Sequence, residues 1–292
     1  MRGIVQHNFT TGFGDALNCI YEYFITCKKL QKRGYEFDLY LNLDKNVYFE
    51  KHMFFHYFNE DLFKSLFKNI IITDEPIRGV KYENLFRVHS IGVVEPGGHL
   101  WDLFLEVDYD DGSVSEVETF SYTVPHYLEL MDTFSSDIVK KYDELKTSYG
   151  LDEPYYAIYY RTHDLQDNVE SYSQFDDELR MILNNNKKVF VCSNSFKFKE
   201  YIKTFNTNNI ICYDVPEEKE SGNHYNYNRV FFDNFELLHL RTEYVIYDML
   251  TLSDAVGIDF FTLWGRPSNF MLIPKLKRTK INERIIYFPE SI

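Results

Sequence analysis

The sequence has few cysteines and no long apolar run. Its four cysteines, Cys19, Cys27, Cys192 and Cys212, include no C-x-x-C pair, the spacing typical of zinc and redox sites. We therefore expect buried thiols in a reducing compartment. No segment approaches the roughly 18 apolar residues of a membrane helix, and the first residues lack the apolar segment of a signal peptide. These absences predict a soluble, cytoplasmic protein without a membrane span.

Positive charge is also scarce. The chain has 31 Lys and Arg against 45 Asp and Glu, a formal net charge of −14. Such a balance argues against non-specific binding to nucleic acid or to anionic membranes, because both require a positive surface. An anionic substrate would have to be bound by a few placed cations or by backbone N–H groups.

Apolar and aromatic residues, in contrast, are abundant. Hydrophobic residues make up 45% of the 292 residues and aromatic residues 18%, which indicates a globular chain with a sizeable core. A short polar hinge at 150–154 divides the chain into two predicted α/β domains, residues 1–150 and 151–292. Most of the rings belong in the cores of these domains.

The chain opens with a β-turn-α-β pattern. A strand candidate, Gly3–His7, is followed by a turn at Thr10–Gly14 and by a helix predicted from Asp15, and Phe37–Leu43 is the next strand. Apolar residues of the helix recur at helical spacing, at Leu17, Ile20, Phe24, Cys27 and Leu30. A glycine turn before a helix can present backbone amides to an anion. The third glycine of the dinucleotide fingerprint and a P-loop lysine are both missing, so close packing of strand and helix remains the alternative.

The stretch Pro154–Asp164, P-Y-Y-A-I-Y-Y-R-T-H-D, predicts a buried strand that ends in charged residues. Ligands of open α/β sheets bind at the carboxyl ends of the strands. Arg161 and Asp164 are therefore candidates for a site. A solvated Arg–Asp pair at a strand end is the alternative interpretation.

Strand and helix patterns alternate through the second half, which predicts a parallel, doubly wound sheet. Further strands are predicted at Lys188–Cys192, Ile210–Tyr213 and Glu243–Tyr247. Polar residues follow these strands, at Ser193–Asn194, Asp214 and Asp248. If the strands are parallel, these residues and Arg161 lie on one rim of the sheet.

The pair Asp108-x-Asp110 permits two interpretations. A D-x-D pair suits Mn²⁺ or Mg²⁺ bound to a nucleotide-sugar diphosphate, since hard cations prefer carboxylate oxygens. Asp-Asp-Gly at 110–112 is also an ordinary hairpin turn. We favour the hairpin.

Several of these segments resemble the motifs of the α1,2/α1,6-fucosyltransferase superfamily. Gly12–Leu17 is similar to the family's glycine turn, and Tyr159-x-Arg161-x-x-Asp164 occupies the place of its H-x-R-x-x-D motif. Ile210–Asp214 is similar to the strand whose acidic residue reads guanine, and Glu236–Ala255 resembles the following helix, strand and polar turn. Two positions depart from the pattern, because Tyr159 replaces the motif histidine and Thr162 its second arginine.

The resemblance implies a GT-B-like α/β fold, in which two Rossmann-type domains face a cleft. Residues 1–150 would be the acceptor-side domain and residues 151–292 the nucleotide-sugar-binding domain. The implied activity is transfer of fucose from GDP-fucose to a glycan hydroxyl, inverting and independent of metal. No cofactor is expected besides the donor, and the partners are this donor and a glycan acceptor.

The expected roles follow from the chemistry of each residue. Arg161 would hold the leaving diphosphate with its planar fork, and Asp167 or Glu170 would be the base for the acceptor hydroxyl. By the resemblance, Asp214 would accept hydrogen bonds from guanine. The predicted donor-binding residues are Gly12, Gly14, Asp15, Tyr159, Arg161, Asp164, Asn194, Asp214, Asp248 and Thr251.

Two other functions remain open at this point. A metal-dependent transferase of GT-A type would use Asp108 and Asp110. A catalytically degenerate domain that binds a glycan or nucleotide would explain the departures at Tyr159 and Thr162.

Overall fold

The computed structural model describes residues 2–8, 34–43, 50–75, 85–95, 98–108, 114–122, 132–161, 168–205, 208–215, 234–262 and 280–285, with individual positions between 13 and 32 and at 48. In 85–122 and 280–285, and in 2–8 apart from Val5, only the backbone is described. The chain forms two compact units, Met1–Val139 and Lys140–Ile292.

The first unit contains a six-stranded mixed sheet of order β3-β2-β1-β4-β5-β6. Its four strands β3, β2, β1 and β4 are mutually parallel, whereas β5 and β6 extend the sheet as antiparallel strands. The strands are β1 Arg2–Asn8, β2 Glu36–Asn42, β3 Asn69–Thr73, β4 Leu85–Glu95, β5 Gly98–Asp108 and β6 Val114–Tyr122. The parallel part has the Rossmann-type arrangement that the opening of the sequence predicts.

The helix predicted after β1 is confirmed at its described positions between 13 and 31. Its apolar side is buried, with at most 6% exposure at Leu17, Ile20, Phe24, Cys27 and Leu30. The helix ends before Gly34, whose φ of 88° favours glycine. Burial raises the pKa of the Cys27 thiol, so this cysteine is the inert, buried thiol that the sequence predicts.

Short helical segments follow β2 in the first unit. They are a 3-10 turn at Lys51–Met53, α1 Phe54–Tyr57 and α2 Glu60–Leu66. The Asn59 side chain caps α2 by accepting a hydrogen bond from the Leu62 N–H at 3.1 Å. Phe54 packs edge-on against Phe63, with their ring centroids 5.2 Å apart, so these segments contribute rings to the core.

The second unit contains a five-stranded sheet of order β11-β10-β7-β8-β9, in which every pairing is parallel. Its elements are α3 Ser136–Ser148, β7 Tyr156–Arg161, α4 Val169–Ser173, α5 Asp176–Asn185, β8 Val189–Ser193, α6 Phe196–Lys203, β9 Ile210–Ile211, α7 Phe235–Asp254, β10 Gly257–Thr262 and β11 Lys280–Ile285. This is the parallel, doubly wound sheet expected from the alternating pattern.

The division between the two units falls within α3, earlier in the chain than the hinge predicted after Gly150. The carboxyl-terminal half of α3 is bonded to the end of α7, because Tyr142 Oη and Lys146 Nζ both donate to Asp254 Oδ2 at 2.7 Å. These contacts explain why Lys140 and the residues that follow it belong to the second unit. Gly150, with a φ of 66°, ends the helix.

The predicted strand Glu243–Tyr247 is wrong. These residues lie in the middle of α7, a 20-residue helix. The strand that follows α7 is β10, which lies beside the central strand β7 and has all six residues buried. Both faces of α7 are largely covered, so its apolar residues do not show the single stripe of a surface helix. In the described part of the chain, none of the helices combines the length and apolar character needed to cross a bilayer.

Candidate functional site

Three neighbouring strands of the second unit end together at one edge of the sheet. Arg161, the last residue of β7, lies opposite Thr262 of β10, and Tyr160 lies opposite Ser193, the last residue of β8. We call the carboxyl ends of β10, β7 and β8 the carboxyl edge. Because the strands are parallel, the expected convergence of Arg161 and the Ser193–Asn194 segment is confirmed at the level of the backbone register.

The residues before Arg161 fix the end of β7. The Tyr160 ring stacks on Phe198 of α6, with centroids 4.1 Å apart, and Tyr159 stacks on Phe260 of β10 at 5.2 Å. Successive side chains of a strand point to opposite faces, so Arg161 leaves the sheet on the same face as Tyr159. The half-buried Arg161 side chain therefore extends from a strand end that is packed against neighbouring rings on both faces of the sheet.

Tyr159 is part of the core. Its side chain is 5% exposed and stacks on Phe260, which leaves little of the ring to contact a ligand. The prediction that Tyr159 binds the donor is therefore corrected. Its ring instead packs on Phe260 of the neighbouring strand, a contact that aromatic pairs favour.

The segment after β8 is built from hydrogen-bonded serines. The Ser195 N–H donates to Ser193 Oγ at 3.0 Å, and Ser195 Oγ accepts from the Phe198 N–H at 3.0 Å, which caps α6. The half-buried Asn194 lies between them. This arrangement directs the amino terminus of α6 toward the carboxyl edge, and a helix amino terminus favours an anion.

The loop after Arg161 contains several predicted site residues. Asp164 and Asp167 fall within 162–167 and lie outside the described residues. The chain continues at Asn168, whose side chain accepts from the Ser171 N–H at 2.9 Å and caps α4. Glu170 is exposed in the first turn of α4, where the helix dipole stabilises a carboxylate.

Asp214 lies beside Tyr149, the residue after α3. The Asp214 N–H donates to Tyr149 Oη at 3.1 Å, and the same hydroxyl is 3.4 Å from Asp214 Oδ2. The Tyr149 ring packs edge-on against Tyr213 at 5.1 Å. The Asp214 carboxylate is exposed, so it is held by one tyrosine and stays accessible to a ligand.

The prediction that Thr251 binds the donor is corrected. It is 0% exposed, and its hydroxyl donates to the Tyr247 carbonyl at 2.7 Å and contacts the Tyr213 hydroxyl at 2.6 Å. Tyr155 Oη also donates to the Thr251 carbonyl at 2.7 Å. Thr251 thus links α7 to the residue before β7 and to Tyr213 after β9, and it does not line a ligand site.

The prediction that Asp248 follows the end of a strand is wrong, because Asp248 lies inside α7. It is half-buried one turn after Tyr244. Asp248 therefore does not belong to the row of strand ends that the sequence predicted.

The helix after β1 begins earlier than predicted. Phe13 and Gly14 are already helical, and Phe13 is 2% exposed and packs edge-on against Tyr48 at 5.5 Å. The Phe13 ring is therefore part of the core. Gly14 is thus a helix residue, while Gly12 and Asp15 lie outside the described residues.

Asp108 ends β5 and pairs with Val114 of β6. The residues between them, including Asp110, connect two antiparallel strands and lie outside the described residues. This topology agrees with the hairpin interpretation of the Asp-Asp-Gly segment.

Sequence reasoning missed Thr262 as part of this region, whereas it placed Ser193–Ser195 at the end of a strand. Thr262 is 0% exposed opposite Arg161, and both serines are buried at the end of β8. Thr262 could have been found from the apolar pattern of Gly257–Thr262, which is typical of a buried strand that ends in a polar residue.

Several tyrosines of the second unit ionise less readily than usual. Burial is the main cause that raises the pKa of Tyr142, Tyr149, Tyr213 and Tyr244. For Tyr201, burial and then a hydrogen bond to Asp176 raise the pKa to about 12.

These raised pKa values predict a loss of stability in alkali. In the unfolded state the tyrosine hydroxyls lose their protons at a pH of about 10, whereas in the folded state they keep them at that pH. Stabilisation is therefore complete below about pH 10 and is lost as the pH rises through the folded pKa values. Urea unfolding at a series of alkaline pH values should show this fall, and Tyr201→Phe should reduce its slope between about pH 10 and the Tyr201 pKa of about 12. A free energy of unfolding that stays constant across this window would contradict the assignment.

Comparisons with solved structures identify the architecture. The α1,6-fucosyltransferase NodZ, in crystals soaked with GDP-fucose, superposes with a TM-score of 0.55 at 13% identity, over 97% of this chain and 94% of that chain. This protein has a fucosyltransferase-like GT-B fold. The predicted fold class is confirmed.

Two further NodZ structures agree with this result. Selenomethionine NodZ from Bradyrhizobium matches with a TM-score of 0.54 at 14% identity, over 99% of this chain and 95% of that chain. NodZ co-crystallised with GDP matches at 0.51 and 12% identity, over 94% and 91%. At the sequence level, neither a family model nor a curated protein matches the chain.

Proposed function

We propose that this protein is a glycosyltransferase that moves a sugar from a nucleotide-sugar donor to a hydroxyl group of a glycan. The preferred donor in this proposal is GDP-fucose. The observation that carries it is the match of nearly the whole chain to NodZ, whose crystals were soaked with GDP-fucose. The position of Arg161 at the carboxyl edge supports it, because doubly wound sheets bind ligands at this edge.

Arg161 is the proposed cation for the diphosphate. Charge builds on the diphosphate oxygens as the glycosidic bond breaks, and a preorganised cation stabilises that charge. The guanidinium fork can hold two phosphate oxygens at once. The amide of Asn194 and the first N–H groups of α6 follow β8, the strand next to β7. They would donate further hydrogen bonds to the diphosphate without a proton transfer.

In this proposal the leaving group is stabilised without a metal ion. Arg161 would supply the positive charge that Mn²⁺ or Mg²⁺ supplies in metal-dependent transferases. Asp108, the residue on which a metal-dependent mechanism would rest, ends a strand of a hairpin.

An inverting transfer needs one base to accept the proton of the acceptor hydroxyl. The proposed base is Glu170 or Asp167. Glu170 lies exposed in the first turn of α4, so its carboxylate is accessible to an acceptor. The hydroxyl oxygen forms the new bond at the anomeric carbon, and the nucleoside diphosphate leaves from the opposite side.

Asp214 is the proposed reader of the base. An exposed carboxylate can accept hydrogen bonds from both the N1–H and the amino group of guanine, a pair of donors that uracil and cytosine do not offer. Tyr149 holds the Asp214 backbone through the 3.1 Å hydrogen bond. A preference for guanine over other bases follows from this chemistry.

A thermal-shift panel tests the proposal. GDP, UDP, CMP and ADP, with their sugar conjugates, are added in excess EDTA and in Mg²⁺ or Mn²⁺. A ligand at about 100 times its Kd stabilises the native state by about 2.7 kcal/mol, a shift of roughly 4 °C for a chain of this size. We expect such a shift with GDP and GDP-fucose in EDTA.

Other outcomes of the panel would support the alternatives. A shift that requires Mn²⁺ or Mg²⁺ would indicate the metal-dependent mechanism at Asp108 and Asp110. The absence of any shift, together with no sugar transfer to glycan acceptors, would indicate a domain that has lost the activity.

A further inference from the structure

Strand β3 is the outermost strand of the first sheet among the strands that the structure describes. It reads Asn-Ile-Ile-Ile-Thr at 69–73 and carries neither a charge nor a proline between its ends. Proteins normally protect such edges with inward charges, prolines or bulges, because an unpaired edge is a template for another strand. The central residue, Ile71, is a large apolar side chain with 41% exposure.

The backbone of β3 offers hydrogen-bonding groups on its outer side. At the end of β3, the Thr73 carbonyl accepts a hydrogen bond at 2.7 Å from the N–H of Leu43, the residue after β2. Peptide groups alternate in direction along a strand, so the backbone groups of Ile71 point toward β2 like those of Thr73, whereas the N–H and C=O of Ile70 and Ile72 point away from it. In an antiparallel pair, these are the groups that two directly opposed residues exchange.

The sequence around β3 is complementary to itself. If two copies pair antiparallel about a two-fold axis at Ile71, Lys68 of one copy lies opposite Asp74 of the other, and Ile70 lies opposite Ile72. Opposed residues share a face of the sheet, so the pairing places apolar beside apolar and positive beside negative. The contact is isologous and closes after two copies.

The two charged residues are available for such a pairing. The Lys68 side chain is 53% exposed and lies 2.7 Å from Glu36, while Asp74 is 49% exposed and lies 3.4 Å from Lys51. Ion pairs with this exposure contribute little to stability and exchange readily with other partners. Each copy would therefore present one cation and one anion at the ends of an apolar strand.

We propose that β3 is a homodimerisation edge, through which two copies of this chain join their first sheets antiparallel about Ile71. The proposal concerns the first unit alone and does not depend on the transferase activity. Strand addition of this kind supplies main-chain hydrogen bonds for affinity, and the Lys68–Asp74 pairs define the register.

Sedimentation of the full chain over a range of concentrations tests the proposal. We expect a monomer–dimer equilibrium for the wild type. Ile71→Lys, which brings two lysines together at the axis, should give a monomer. Met181→Lys is the matched control, because Met181 is a similarly exposed apolar residue, at 48%, on α5. It should leave the dimer unchanged. Circular dichroism melts confirm that each variant is folded.

A charge exchange tests the register. Lys68→Glu should weaken the dimer roughly tenfold, since two opposite-charge pairs become like-charge pairs. Asp74→Lys should weaken it by a similar factor, and the double variant Lys68→Glu/Asp74→Lys should restore the dissociation constant. A wild type that stays monomeric at every concentration would overturn the proposal. A dimer that persists in Ile71→Lys, or a double variant that does not recover, would also overturn it.

Discussion

Replacing Arg161 by alanine is expected to weaken GDP binding by at least about 100-fold, because the substitution removes two charge-assisted hydrogen bonds to the diphosphate. The side chain is half-buried at the end of β7. Isothermal titration calorimetry with GDP in EDTA measures the effect. Arg161→Lys should recover only part of the affinity, since an ammonium group cannot bind two oxygens as a planar fork does.

Arg180 provides the matched control. It lies on α5, where its guanidinium stacks over the Phe205 ring at 4.4 Å. Like Arg161→Ala, Arg180→Ala removes one positive charge from the second unit. It should nevertheless leave the GDP affinity unchanged. Asp108→Ala should also bind GDP like the wild type. Equal affinities for the Arg161→Ala and wild-type proteins would refute the proposed role of Arg161.

The second large effect concerns the core beneath the carboxyl edge. Phe198 of α6 is 0% exposed, stacks on Tyr160 at 4.1 Å and packs edge-on against Tyr172 at 5.5 Å. Phe198→Ala should lower the free energy of unfolding by about 3–5 kcal/mol, through lost apolar burial and the cavity that remains. Urea unfolding followed by circular dichroism measures it.

Phe235→Ala is the control for this substitution. Phe235 begins α7 and is 47% exposed, so its truncation should cost less than about 1 kcal/mol. A loss at Phe198 no larger than that at Phe235 would mean that the ring does not support β7. Because Phe198 follows the Ser193–Ser195 segment that caps α6, its loss should also weaken GDP binding in the folded protein.

The local elements were predictable because their signals are local. The apolar spacing of Leu17 to Leu30 predicted a helix whose inner side is buried, and Gly34 predicted its end. The apolar stretch before Arg161 predicted β7. In each case the structure follows from the spacing of the apolar residues or from the backbone conformation that one residue favours.

The strand predicted at 243–247 failed for a physical reason. Glu243 and Thr251 are polar but buried in α7. The spacing of polar residues in the sequence therefore does not reveal a solvent-facing side of this helix. A run of Tyr, Val and Ile then has the composition of a strand. Contacts distant in the sequence, such as Tyr155 Oη with the Thr251 carbonyl at 2.7 Å, stabilise the helix.

From the sequence alone, two α/β domains, a parallel second sheet and Arg161 at the end of a strand could be determined, since these depend on periodicity and on the position of charge along the chain. Only the tertiary structure decided which polar residues accompany Arg161. The register of β10 brings Thr262 to its level, while the packing of α7 buries Thr251. Spacing along a chain contains no information about burial by another element, so these roles required the folded protein.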